Sequence, residues 1–190
     1  MRLVLASASP RRRELLPLLG LPFETVEPEV EELADGDPLE LVAINAERKA
    51  RAGADLVATG ATVIGADTDV ALGGRLLGKP ATAAAAAEGL AALSGRGHEV
   101  HSGVFVLSPQ GTVAGRETTT VRFRELGGRE IDAYVATGEW RGRAGGYAVQ
   151  GFGASLVSGI EGDVSNVIGL PMPLLAALLQ ELTGAVPGLS

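Results

Sequence analysis

Asp67, Lys49 and Lys79 are the residues with the most chemistry to offer. Asp67 interrupts the small, apolar run Val63-Ile64-Gly65-Ala66, and a carboxylate at such a point is placed to orient or deprotonate water. Of 16 basic residues only Lys49 and Lys79 are lysines. A compact ammonium serves as a phosphate point charge, so a chain that otherwise uses arginine has reason to keep lysine where one is needed. More cations follow Ser7-Ala8-Ser9-Pro10, as Arg11-Arg12-Arg13. Ser9 is a good N-cap and Pro10 a good first helical residue, which puts three arginines into a first helical turn. Free N–H groups make that end partly positive, and each cation there costs a few tenths to about 1 kcal/mol. An anion held by amides, the Ser7 and Ser9 hydroxyls and a guanidinium fork removes the conflict. Three solvated arginines on a surface helix are the plainer reading.

These residues need a frame. The first arginines follow a short buried strand opening at Leu3, and their helix turns Leu15, Leu16 and Leu19 to one side before Gly20. Phe23–Val26 reads as a strand entering an acidic loop, Glu27 to Asp37, whose carboxylates include Glu32, a candidate ligand for a hard metal on an otherwise solvated face. Asp37-Pro38-Leu39-Glu40 is a capping box opening a helix to about Gly53. On it Leu41, Asn45 and Lys49 recur every four residues, so Lys49 ends an inward stripe and needs a partner there.

Thr62–Leu72 has the strongest strand pattern, with Asp67 and Asp69 on one face by alternation. The Gly73-Gly74 turn and return strand are expected to bring Lys79 back near Asp67. Thr82 caps an Ala-rich helix to Leu93, while His98–Leu107 and Thr112–Arg124 alternate as a hairpin around Ser108-Pro109-Gln110-Gly111. His98 and His101 face opposite sides of one strand and make a poor metal pair. Glu130–Thr137 is a helix ended by Gly138, followed by the Gly-dense stretch Gly142–Gly153, in which the dinucleotide fingerprint is incomplete. Ala154–Ile160 reads as a strand and Pro173–Thr183 as a last helix stopped by Gly184. The whole predicts an α/β fold, a mixed twisted sheet flanked by helices, with two lobes and a cleft between them.

Composition narrows the function. The 190 residues, 46% of them hydrophobic, suffice for one domain over residues 1–190. No cysteine is present, which excludes disulfides, thiolate zinc sites and cysteine nucleophiles. A net charge of -7 with 4% aromatics argues against polymeric nucleic acid as partner, so a small anion must be caught by a local positive pocket. Neither a long apolar run nor a signal-peptide pattern is found, which predicts a cytoplasmic protein without membrane partners.

The chain resembles the Maf-type nucleoside triphosphate pyrophosphatases over almost its whole length. Leu5-Ala6-Ser7-Ala8-Ser9-Pro10-Arg11-Arg12 is similar to that family's opening signature, and Gly65-Ala66-Asp67-Thr68 and Gly78-Lys79-Pro80 to its central motifs. Ala144–Gly151 and Asn166-Val167-Ile168-Gly169-Leu170-Pro171 are similar to its late ones. The resemblance implies hydrolysis between the α and β phosphates of a nucleoside triphosphate, a divalent metal (Mg2+ or Mn2+) and frequent homodimers. It also implies roles: Asp67 as proton acceptor, Glu32 as the acidic-loop residue, Lys49 and Lys79 as the family lysines, and Arg11, Thr68 and Gln150 as specificity positions. Arginine, threonine and glutamine there resemble the branch acting on dTTP and UTP, not the sister branch preferring 7-methyl-GTP. Asp69, Arg143 and Ala148 depart from the family pattern.

Read together, a metal held by Glu32, Asp67 and phosphate oxygens would polarise the substrate. Asp67 would activate water while Arg12, Lys49, Lys79 and helix amides neutralise phosphate charge. Two rivals differ in product. An Asp-x-Asp phosphatase using Asp67-Thr68-Asp69 would release orthophosphate through an acyl-phosphate. A nucleotide-sensing regulator of cell division would bind without turnover.

Overall fold

The computed structural model describes residues 2–184. Strand β1 (Leu3–Ala6) leads to α1 (Pro10–Leu15), which tightens into a 3-10 turn at Leu16–Leu19 and stops where Gly20 turns left-handed. Then come β2 (Phe23–Val26), α2 (Pro38–Asp55), β3 (Thr62–Leu72), β4 (Arg75–Leu76) and α3 (Ala83–Leu93). The long hairpin β5 (Gly97–Ser108) and β6 (Gly111–Phe123) precedes α4 (Gly128–Thr137), β7 (Val157–Glu161), α5 (Val164–Ile168) and α6 (Met172–Thr183). All strands form one sheet in the order β2-β1-β3-β5-β6-β7, with β4 paired to β3. Strand β1 runs parallel to β2 and β3 while the other pairings are antiparallel, which is the mixed sheet the sequence predicts.

Register places the cleft. Strand β5 pairs with β3 from Val63 to Ala71, but on the opposite flank β1 ends at the Ala6–Gly65 pair and β4 begins only at Ala71. Residues 66 to 69 of β3 therefore face a gap in the sheet, beyond the carboxyl end of β1, where open α/β sheets bind ligands. On one face of the sheet, two apolar cores lie at opposite ends of the long strands. One gathers Leu5, Ile64, Val104 and Leu175, the other Val70, Leu90, Val100 and Phe123. Between them the paired residues are polar, Thr68 opposite Ser102. This is how one sheet carries two lobes.

Helix α2 covers the other face at very short range. A Cβ on Gly65 would fall 2.2 Å from the Ala46 carbonyl oxygen, and one on Gly103 only 2.3 Å from that of Val42. Bare backbone at these two strand positions lets the helix settle onto the sheet and brings its polar stripe beside Asp67.

Several expected ends differ. Ser9 occupies the N-cap position, but its hydroxyl makes no capping bond; instead Ser7 Oγ accepts from Ser9 N at 3.2 Å. Asp37 does cap α2, accepting from Leu39 and Glu40 N–H at 3.1 Å, but only half the box forms because Glu40 turns outward to Arg116. Gly53 lies within α2, where it meets Ala6, and the helix runs on to Asp55. The strand expected at Ala154 starts at Val157, because Phe152–Leu156 winds as a 3-10 turn.

Candidate active site

Around the gap beside β3 is a cleft of about 360 Å³. Its walls come from the Ser7–Arg12 turn, the acidic loop, α2, β3, the Lys79 loop, the 142–150 segment and the end of α5. Five cations line it, Arg11, Arg12, Lys49, Lys79 and Arg143, against two carboxylates, Glu32 and Asp67. A positive cleft in a chain of net charge -7 is built for a small polyanion.

Asp67 is buried on the α2 face. Its Oδ1 lies 2.6 Å from Lys49 Nζ and its Oδ2 accepts from Asn45 Nδ2 at 3.1 Å. Asn45 is held in turn by the acidic loop, donating to the Leu33 carbonyl at 3.0 Å and accepting from Leu33 N–H at 2.8 Å. Lys49 also reaches Glu32 Oε1 at 2.5 Å, so one ammonium spans both acids. Lys79 does not pair with Asp67 as the hairpin suggested. The return loop sets it 3.8 Å from Glu32 Oε2 instead, more than half exposed.

Three consecutive arginines point three ways, as residues about 100° apart on a helix must. Arg13 turns outward to Glu27 at 2.8 Å and lies off the cleft wall. Arg11 lines the cleft, its guanidinium pKa lowered first by burial and then by its neighbours Arg143 and Arg12. Arg12 goes inward. It donates to the Gly169 carbonyl at 2.8 Å, Ser7 Oγ at 3.3 Å and Thr68 Oγ1 at 3.1 Å. All three acceptors are neutral, so burial lowers its pKa against the raising influence of Asp67 and Glu32. Such a cation keeps its charge available to a ligand. With α1 only six residues long, the side chains contribute more of this cradle than a helix dipole does.

Ser7, Ser9, Thr68 and Gln150 all line the cleft, Gln150 on the exposed rim of the Gly-rich segment. That segment is tied to the Lys79 loop by Gly145 N–H donating to the Gly78 carbonyl at 2.8 Å. Gly145 has φ of 67°, and a Cβ there would press on Val70 at 3.0 Å, so glycine is required for this approach. Asp69 stays off the cleft wall. Strand β3 does not end early, and Asp69 Oδ1 accepts from Val70 N–H at 2.7 Å while burial raises its pKa. The sequence set Asn45 on the inward stripe of α2 and marked Arg143 as a departure from the family pattern, but gave neither a role in the site; the structure places Asn45 against Asp67 and Arg143 on the cleft wall.

Glu32 Oε1 and Asp67 Oδ1 meet at the Lys49 ammonium, so the point these two acids share is filled by the chain's own cation. Among the described residues no cluster of three acids or imidazoles forms a cage. The two cleft carboxylates are oxygen donors of the kind a hard divalent ion accepts, as part of a shell completed by phosphate and water.

A family model described as Maf-like protein matches residues 2–182. The chain belongs to the Maf family. It is 47% identical over 180 residues to a dTTP/UTP pyrophosphatase of Deinococcus radiodurans, covering 94% of this chain and 92% of that one. A dTTP/UTP pyrophosphatase of Moorella thermoacetica is 49% identical over 187 residues, covering 94% and 93%. A solved structure, a nucleoside-triphosphatase / dITP/XTP pyrophosphatase from Mycobacterium abscessus, aligns over 97% of each chain at 21% identity with a TM-score of 0.45, a distant likeness only. No helix among the described residues is long and apolar enough to cross a membrane.

Behind the Gly-rich wall of this Maf cleft sits His98. Its Nε2 is 2.7 Å from the Tyr147 hydroxyl, its ring meets Phe123 and Tyr147 edge-on, and its buried Nδ1 has no partner among the described residues. Burial lowers its pKa from 6.5 to about 4. Between those values the unfolded chain binds the proton and the folded chain does not. Stability from this group is thus complete above about pH 6.5 and is lost as pH falls toward 4, by about 3 kcal/mol at most. Urea midpoints should fall more steeply from pH 7.5 to 4.5 in the parent protein than in His98→Gln. Parallel slopes would clear His98 of this effect.

Proposed function

We propose that the protein hydrolyses nucleoside triphosphates, with dTTP and UTP preferred, to the monophosphate and pyrophosphate. The observation that carries this reading is the convergence of five cations on a carboxylate-bearing cleft in a Maf chain. The curated relatives named dTTP/UTP pyrophosphatases support the substrate choice. In the reaction a water oxygen bonds to the α-phosphorus, the bond from that phosphorus to the bridging oxygen breaks, and pyrophosphate leaves. Asp67, oriented by Asn45 and Lys49, takes the proton from water. Arg11, Arg12, Lys79 and Arg143 offset the charge that grows on the bridging and non-bridging oxygens. Glu32 and Asp67 would hold Mg2+ or Mn2+, which supplies Lewis-acid polarisation of phosphate oxygens when bound. Gln150, on the rim, is the side chain placed to read the base. A cytoplasmic homodimer completes the reading by family membership, and sedimentation would check the dimer.

The test is purified protein with magnesium and a panel of dTTP, UTP, CTP, ATP and GTP, assayed separately for pyrophosphate and orthophosphate. Pyrophosphate should match monophosphate mole for mole. The rate with dTTP and UTP should exceed that with ATP and GTP by at least about tenfold, the value of one well-placed interaction of ~1.4 kcal/mol. Orthophosphate as the first product would restore the aspartyl-phosphate chemistry, and binding without any release would restore the sensor.

A further inference from the structure

Arg12 is buried in the cleft wall and takes part in none of the ion pairs among the described residues; what fixes it is a closed set of neutral oxygens. Thr68 Oγ1 is the centre of that set. It lies 3.1 Å from Arg12 Nη2, 3.0 Å from the Gly169 carbonyl and 2.7 Å from Ser102 Oγ. A hydroxyl has one proton and two lone pairs. The guanidinium can only donate and the carbonyl can only accept, so the Thr68 proton goes to Gly169. Both lone pairs are then taken, one by Arg12 and the other by the Ser102 proton. The Gly169 oxygen is likewise shared between Arg12 Nε and Thr68. Ser102 is fully buried and sits opposite Thr68 in the sheet, and its hydroxyl has no other hydrogen-bond partner among the described residues.

We infer that Ser102 and the Thr68 hydroxyl are positioning groups that hold the Arg12 guanidinium toward the phosphates, and that base discrimination does not pass through the Thr68 hydroxyl. The resemblance assigns position 68 to specificity; the bonding leaves its oxygen no capacity for a nucleobase. The inference rests on the triphosphate reading above, and the test separates the two.

Thr68→Val, Thr68→Ser and Ser102→Ala would be compared with the parent protein for kcat and KM on dTTP, UTP and CTP. Binding of inorganic tripolyphosphate, which has no base and needs no turnover, would be measured by calorimetry. Thr68→Val should lose roughly 10- to 100-fold in kcat/KM, the range for a hydrogen bond to a charged group. The factor should be the same for all three nucleotides, with tripolyphosphate binding weakened in parallel. Ser102→Ala should show the same uniform pattern at roughly 3- to 10-fold, since one neutral bond is lost. Thr68→Ser keeps the hydroxyl and should recover most of the loss. A dTTP-to-CTP preference altered tenfold in Thr68→Val with tripolyphosphate binding intact would overturn the inference. So would variants that melt earlier yet bind and turn over as the parent does. If the parent protein hydrolyses nothing, the pyrophosphatase reading fails, while the tripolyphosphate arm still decides the role of Ser102 and Thr68. Should Thr68→Val fail to fold, Ser102→Ala carries the same comparison.

Discussion

Asp67→Asn is expected to lower dTTP and UTP hydrolysis by at least about 100-fold, the lower range for loss of a positioned general base. The geometry makes the substitution informative because shape is kept while the proton acceptor is lost. The new amide oxygen can still accept from Asn45 Nδ2, now 3.1 Å from the carboxylate; its NH2 then faces the Lys49 ammonium, which must lean toward its remaining partner Glu32. The fold should therefore survive, with a loss of stability of about 1 to 3 kcal/mol for disturbing one hydrogen-bonded charge. Single-turnover rates with radiolabelled dTTP, alongside urea melts, separate the two effects. Near-normal turnover would remove Asp67 from the chemistry and leave it as a structural partner of Lys49 and Asn45.

Gly65→Ala carries the largest expected structural effect. Its Cβ would sit 2.2 Å from the Ala46 carbonyl oxygen and 2.5 Å from Ala50 N, and backbone of a hydrogen-bonded helix cannot swing aside as a side-chain tip can. Helix α2 must lift. We expect a cost of about 3 kcal/mol, at the upper end for overpacking, together with lost activity as Asn45 and Lys49 withdraw from Asp67. Gly103→Ala should behave alike, its Cβ meeting the Val42 carbonyl at 2.3 Å. The control is Gly89→Ala in α3, where no atom lies within 4 Å and helix propensity alone should add about 0.5 to 1 kcal/mol. Urea denaturation of the three variants settles the ordering; a Gly65→Ala protein as stable as the parent would mean that α2 has room to move.

Much of the scaffold was legible because its signals are local. Strand β3 spans Thr62–Leu72 as its alternation predicts, Asp37 and Thr82 cap the helices that follow them, and Gly20, Gly138 and Gly184 end theirs in the left-handed region. Each of these outcomes depends on a few neighbouring residues and on backbone preferences that do not change with the rest of the fold. The wrong ends, Gly53 and Ala154, are places where a distant contact or a tight turn outweighed the same preferences.

By itself, the sequence determined every strand and most helices, though not α5, together with the mixed sheet, the absence of thiol chemistry and the motifs that place the chain among the Maf proteins. Only the tertiary structure decided which two of three arginines line the cleft, that Asp67 meets Lys49 and not Lys79, and that Ser102 stands behind Thr68. The physical reason is distance along the chain. Arg12 and Gly169 are 157 residues apart, and Thr68 and Ser102 are 34 apart, so their bonds exist only once strand register and the glycine-mediated approach of α2 are set. A hydrogen bond needs placement to a fraction of an ångström, and no periodicity in the sequence carries that information.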